Sequence, residues 1–303
     1  MSCLEFERPK RAPFRRRLSE FSILPDQRAP EVEFPKLCAG CDDISLPRLL
    51  IEIARDAYPQ LDSLRPLMEL DRLGERARRA LAVGTHDGSL PAKLAIVSRV
   101  LFHDEGFHGD QEQYYDPCNS YLHEVLQRRR GIPITLSIVY REVARRAGLP
   151  VYGVGTPGHF VVGCEEEGQL WFVDPFALGE VLSFEQCRRR IEQHLGESGV
   201  LVAAHFAPAN NHSIVVRVLR NLKGTLAQRN SWTELYHVQR RLAALLPGMS
   251  DEQRDLGLVA LRVGAGLEAW QLLSHYVETC EAEQRAQIEP YLKLARRQVN
   301  EFN

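Results

Sequence analysis

The stretch Val151 to Phe176, VYGVGTPGHFVVGCEEEGQLWFVDPF, decides the fold. It breaks into short apolar runs, Val151–Gly155, His159–Cys164 and Leu170–Val173, with Glu180–Leu182 following. Gly, Pro and acidic residues stand between them, the pattern of a small antiparallel sheet. His159 follows Pro157-Gly158 at the start of one run, and Asp174 closes another before Pro175. On neighbouring strands these ends can meet at hydrogen-bond distance, which is how an aspartate orients an imidazole and fixes its tautomer. The same spacing also suits a buried structural pair that knits two strands together.

Upstream, Gly131-Ile132-Pro133-Ile134-Thr135 opens a predicted helix, with Pro133 at the first helical position. Leu136, Ile138, Val139, Val143 and Ala144 fall on its inner face, and Gly148-Leu149-Pro150 stops it. A helix followed by His and Asp on adjacent strands is the order in which thiol enzymes present Cys, His and Asp, the thiolate being favoured at the helix N-terminus. No cysteine stands at this helix start. Thr135 and Ser137 are the hydroxyls nearest to it, and either would need His159 as a base, since a free hydroxyl is not ionised near neutrality. Hydroxyls in a first helical turn more often bond to backbone. Cys118, Cys164 and the neighbouring Asn119 are the other candidate groups, and cysteines in such places usually serve as small core residues.

The rest of the chain reads as helix. Residues 1 to 44 mix Arg, Pro and Glu without a period and predict a tail or a loosely packed, partly irregular arm. Helical spacing begins near Ser45, continues from Leu64 to Ala82, and returns over Pro91–Phe102. Asn119 or Ser120 can cap a further helix that ends in Arg128-Arg129-Arg130. Ser183-Phe184-Glu185-Gln186 is a capping-box pattern for another. Beyond residue 209, setting Gly257 at the small position of a 34-residue tetratricopeptide unit puts Leu256, Ala260, Ala269, Leu273 and Tyr276 on its apolar and small positions. Leu222, Leu235 and Leu242 occupy the preceding unit, which ends at Pro247. Gln284–Val299 would cover the end of the stack.

Composition narrows the function classes. Over 303 residues, 44% hydrophobic and 26% charged content with a formal net charge of -2 describes a globular protein without a nucleic-acid or membrane field. The N-terminal basic residues Arg8, Lys10, Arg11 and Arg15–Arg17 lead into no apolar run, so a cytoplasmic protein with free thiols is expected. Cys38-Ala39-Gly40-Cys41 has the spacing of a zinc half-site or redox pair, but only Cys3 and scattered histidines could complete it. His103 and His108 fall in an acidic, glycine-containing segment read as a solvated loop. No cofactor and no metal is expected.

The wording of the middle segment is specific. Tyr114-Tyr115-Asp116-Pro117-Cys118-Asn119-Ser120-Tyr121-Leu122, Arg129-Arg130-Gly131-Ile132-Pro133-Ile134-Thr135, Pro157-Gly158-His159-Phe160 and Asp174-Pro175-Phe176 resemble the SirB-type family of bacterial proteins. That family is a branch of the transglutaminase-like superfamily that commonly ends in tetratricopeptide repeats. The resemblance spans about residues 45 to 280. It implies an α+β papain/transglutaminase-like core over 45–208, an all-α tetratricopeptide-like unit over 209–303, and His159 and Asp174 in the superfamily's His and Asp positions. The superfamily cysteine would fall near Pro133 to Thr135, where this chain has none. The expectation is a non-catalytic protein- or peptide-binding regulator on a degenerate core. The alternative is a hydrolase or acyl transferase in which Thr135, Ser137 or Cys118 serves a His159–Asp174 dyad.

Overall fold

The structure, a computed structural model, describes residues 30–84, 87–195 and 201–301. The N-terminal basic residues and Cys3 lie outside them. Chain order runs α1 (Glu33–Cys38), α2 (Leu46–Ala54), α3 (Leu64–Val83) and α4 (Leu90–Ser98). Then come β1 (His108–Gly109), α5 (Leu122–Arg128), β2 (Arg130–Gly131) and α6 (Pro133–Arg146). A four-stranded sheet follows as β3 (Tyr152–Thr156), β4 (His159–Glu166), β5 (Gln169–Asp174) and β6 (Glu180–Ser183), and α7 (Phe184–Leu195) succeeds it. The C-terminal part is α8 (Asn211–Gln228), α9 (Trp232–Leu245), α10 (Ser250–Arg262), α11 (Gly266–Thr279) and α12 (Ala282–Glu301). The chain is thus α+β, mostly helical, as the sequence predicts.

The sheet is antiparallel throughout, in the order β3-β4-β5-β6. It is covered on both faces, so its central strand lacks a polar side and His159 to Cys164 are all buried. Phe160, Val162, Cys164 and Val173 join the main core with Leu136, Val139 and Tyr140 of α6. Val154, Val161, Phe172 and Leu182 pack instead with Cys187 and Ile191 of α7 and with Phe206. The predicted capping box holds α7: Ser183 N donates to Gln186 Oε1 at 2.8 Å, and Gln186 N to Ser183 Oγ at 3.3 Å.

Several local expectations are corrected. The described end of the partly irregular arm is packed rather than loose, because α1 buries Phe34 and Leu37 in the main core. Its first amides are held from a distance: Glu52 on α2 accepts Val32 N at 2.8 Å, Glu33 N at 3.0 Å and Phe34 N at 2.8 Å. A carboxylate at a helix N-terminus satisfies orphan donors and opposes the dipole. The residue before α5 is Tyr121, which makes no side-chain cap, so neither Asn119 nor Ser120 caps that helix. Asp116 instead caps the 3-10 turn Pro117–Asn119 through Cys118 N at 3.1 Å.

His103 and His108 are not in one loop. His103 lies in a π-helical turn, Arg99–Asp104, that extends α4, and His108 lies in β1, which pairs in parallel with β2. The turn fits Gly179, whose carbonyl accepts Ser98 Oγ at 2.6 Å and where an added Cβ would meet the Phe102 ring at 2.5 Å.

The main core does not stop at residue 208. Ile214, Val215, Leu219 and Leu222 of α8, Leu235 and Leu242 of α9, and Val259 of α10 all belong to it. Gly153 makes room for the junction: a Cβ there would meet the Phe160 ring at 2.9 Å and Ile214 at 3.5 Å. A second, smaller cluster gathers Leu258, Leu261, Ala269, Leu273, Tyr276, Ile288 and Ala295 from α10, α11 and α12. No helix among the described residues is long and apolar enough to cross a membrane.

Candidate functional site

The strand register sets the site. Val162 lies opposite Val173, which places Asp174 diagonal to His159 on one face, within reach of a long side chain. Gly158, at φ +72°, closes the β3–β4 turn, and β4 begins with His159. Asp174 ends β5 and caps the 3-10 turn Pro175–Ala177, its Oδ1 accepting Phe176 N at 3.1 Å and Ala177 N at 3.2 Å. Its Oδ2 faces His159 Nε2 at 2.9 Å and accepts Arg190 Nη1 of α7 at 3.4 Å.

Both members of the pair are buried, His159 at 5% exposure and Asp174 at 2%. Burial alone would raise the Asp174 pKa. The His159 hydrogen bond and charge, the Ala177 amide and Arg190 outweigh it and hold the carboxyl below the usual aspartate range. An ionised Asp174 only accepts, so Nε2 carries the proton toward it and Nδ1 is the basic nitrogen of the neutral ring. The aromatic surroundings are Phe176, edge-on to His159 at 6.5 Å between centroids, and Tyr114, edge-on to Phe176 at 6.1 Å.

The remaining candidates have other partners. Thr135 is 1% exposed. Its Oγ1 donates to Asn119 O at 2.7 Å, lies 3.1 Å from Ile132 O, and accepts Ile132 N at 3.1 Å. It acts as an N-terminal clasp of α6, with its hydroxyl on backbone. Ser137 Oγ donates to Phe160 O at 3.1 Å and ties α6 to β4. Cys118 Sγ lies 3.8 Å from Tyr58 Oη, and burial pushes the thiol up, away from thiolate character. Cys164 donates to Pro150 O at 3.5 Å, and burial raises it too.

Asn119 is fully buried, its Nδ2 donating to Gln113 O at 2.8 Å and Asp110 Oδ2 at 3.3 Å. Together Asp110, Asn119 and Thr135 secure the start of α6. Cys38 and Cys41 are exposed thiols at and after the end of α1. Among the described residues no group of three or more His, Cys, Asp or Glu side chains is arranged to hold a metal.

Two groups around the pair escape local sequence reading. Arg190 sits in the run Arg188–Arg190 and reaches Asp174 only through the packing of α7 on the sheet. Arg217 interrupts Ile214-Val215-Val216-Arg217-Val218, and a lone charge within a buried run is the signal that could have marked it.

Comparison with known proteins fits this geometry. Residues 65–220 match the profile described as the transglutaminase-like superfamily. A UPF0162 protein of Xylella fastidiosa (strain 9a5c) is 37% identical over 246 residues, covering 79% of this chain and 86% of the relative. A UPF0162 protein of Vibrio cholerae is 27% identical over 222 residues, or 73% of this chain and 81% of the relative. Human F-box only protein 21 is 29% identical over 255 residues, or 79% of this chain but 38% of that longer protein. With the profile covering half of its residues and the Xylella relative aligned along most of both chains, this protein belongs to the transglutaminase-like superfamily, in the branch that holds the UPF0162 proteins.

Proposed function

We propose that the chain is a non-catalytic protein- or peptide-binding regulator, in which the former substrate groove around His159 and Asp174 now serves recognition. The observation that carries this reading is the commitment of the candidate nucleophiles. Thr135 and Ser137 spend their hydroxyl protons on backbone carbonyls, and Cys118 faces Tyr58. A base with an orienting aspartate does no acyl chemistry without a group to deprotonate. The alternative, a hydrolase or acyl transferase using one of these residues, draws support from the His159–Asp174 contact alone.

The C-terminal helices support the same reading as a second recognition surface. At an offset of 34 residues, the pairs Leu222 and Leu256, Leu235 and Ala269, and Leu242 and Tyr276 are all buried, as a tetratricopeptide-like repeat requires. Gly257 lets α10 and α11 approach, since a Cβ there would meet Leu273 at 2.8 Å. Helical repeats work by presenting concave surfaces to partners. The match to a portion of F-box only protein 21 is in keeping with a module carried in chains of different length. Six cysteines are free thiols among the described residues, which suits the cytoplasm.

The test is selection of peptides from a random library by the purified full-length protein, followed by affinity measurement with Tyr114→Ala and His159→Ala variants. The reading expects a consensus peptide that is recovered intact, with binding weakened at least tenfold by Tyr114→Ala. Recovery of cleaved or covalently attached peptide that depends on His159 would establish the catalytic alternative. Deleting residues 210–303 is a poor test, because it strips Ile214, Leu219, Leu222 and Leu242 from the main core.

A further inference from the structure

Arg217 on α8 reaches the strand turn bearing His159, and among the described residues no carboxylate pairs with it. Nη1 donates to Thr156 O and Nη2 to His159 O, both at 2.9 Å, while the guanidinium lies over the Phe160 ring at 5.5 Å. Gly155 leaves the space, its Cβ position falling 3.5 Å from Nη1. Two carbonyls and a ring face use two of the five guanidinium protons and neutralise none of the charge. Burial accordingly lowers the Arg217 pKa. Three other partly buried arginines are matched by two carboxylates each: Arg241 by Glu31 and Asp56, Arg254 by Asp251 and Asp255, and Arg146 by Asp71 and Glu142.

Arg217 meets the site through the His159 carbonyl, and aromatic rings continue from there. Tyr114 contacts Phe176 edge-on at 6.1 Å and is 38% exposed, while its neighbour Tyr115 is 63% exposed. Phe176 in turn contacts His159. Exposed tyrosines and an arginine around one buried histidine have the composition of an interaction hot spot. A guanidinium with unused donors recognises a carboxylate better than any neutral group.

We propose that Arg217 is the anion-reading residue of the groove, its unused edge pairing with a carboxylate of an acidic peptide laid across Tyr114 and Phe176 beside His159. This rests on the peptide-binding reading above and adds the chemistry of what is bound. A side-chain carboxylate and a peptide C-terminus share that chemistry, and the experiment separates them. Arg217 also fixes the turn of His159, so the same contact links the bound acid to the His159 backbone.

The experiment uses the full-length protein with two oriented peptide libraries, one with free C-termini and one amidated, and reads residue enrichment position by position. The proposal expects Asp or Glu enriched at one position in both libraries, or binding confined to free C-termini. Arg217→Gln should abolish that preference while enrichment elsewhere persists, and Arg217→Lys should restore part of it. For a selected peptide, replacing the acid by its amide should weaken binding about tenfold, a comparison that needs only wild-type protein and stands if Arg217→Gln fails to fold. Enrichment without any acidic or C-terminal preference, or a preference that survives in Arg217→Gln, overturns the assignment and leaves the groove reading intact. No enrichment at any position in either library overturns both.

Discussion

His159 and Asp174 meet through Nε2 and Oδ2 at 2.9 Å, and every other acceptor direction of that carboxylate is used by Phe176 N, Ala177 N and Arg190. Asp174 therefore orients the ring, holds the following turn and anchors α7 together. Its pKa is lowered in the folded chain from an ordinary value of about 3.9, so the folded state binds its proton less readily than the unfolded one. The stability this contributes is present above about pH 4 and is lost as pH falls through the folded value. Asp174→Asn should cost about 1–3 kcal/mol at pH 7, with the difference from wild type shrinking on acidification. Denaturant melts from pH 7 to pH 3 check it, and a pH-independent difference would assign the loss to packing alone.

Thr135 is a clasp. Thr135→Val keeps the shape but leaves Ile132 N and Asn119 O without their buried partner, and should destabilise the protein by about 1–3 kcal/mol. Thr135→Ser should restore most of it. Equal stability of the valine and wild-type proteins in a thermal melt would remove this role.

Glu52 should control α1. Glu52→Gln replaces a carboxylate that takes three amides with a side chain offering one acceptor oxygen, and should cost about 1–2 kcal/mol. Hydrogen exchange at Val32–Leu37 should quicken while exchange in β4 stays slow. Uniform quickening across the chain would mean that α1 does not open on its own.

Gly257→Val puts carbon into the Leu273 side chain, which a Cβ already meets at 2.8 Å. Overpacking of this kind costs about 1–3 kcal/mol. Exchange should rise first in α11 and α12, whose cluster is distinct from the main core. Protection lost first in α6 and β4 would contradict that division.

What the sequence reveals follows the range of the interactions involved. The four strands, the stop at Gly148 and the capping box at Ser183 are written in turn residues and local spacing, and each is found within a residue or two. The His159–Asp174 contact is equally legible, since it needs only neighbouring strands and a register. Local reading misses α1, because its cap comes from Glu52, and the π-helical turn, because it answers to Gly179 some eighty residues away. It misses Arg190 and Arg217 for the same reason. Both reach the site from helices outside the strands that carry it.

The most direct test of the central claim is residue-level mapping, by mass spectrometry, of electrophilic acyl and alkyl probes reacted with wild-type and His159→Ala protein at neutral pH. The account predicts that Thr135, Ser137 and Cys118 stay unlabelled in both, and that labelling of the exposed Cys38 and Cys41 is the same in both. Modification of Thr135, Ser137 or Cys118 in the wild type that vanishes in His159→Ala would contradict it and make the pair a working base.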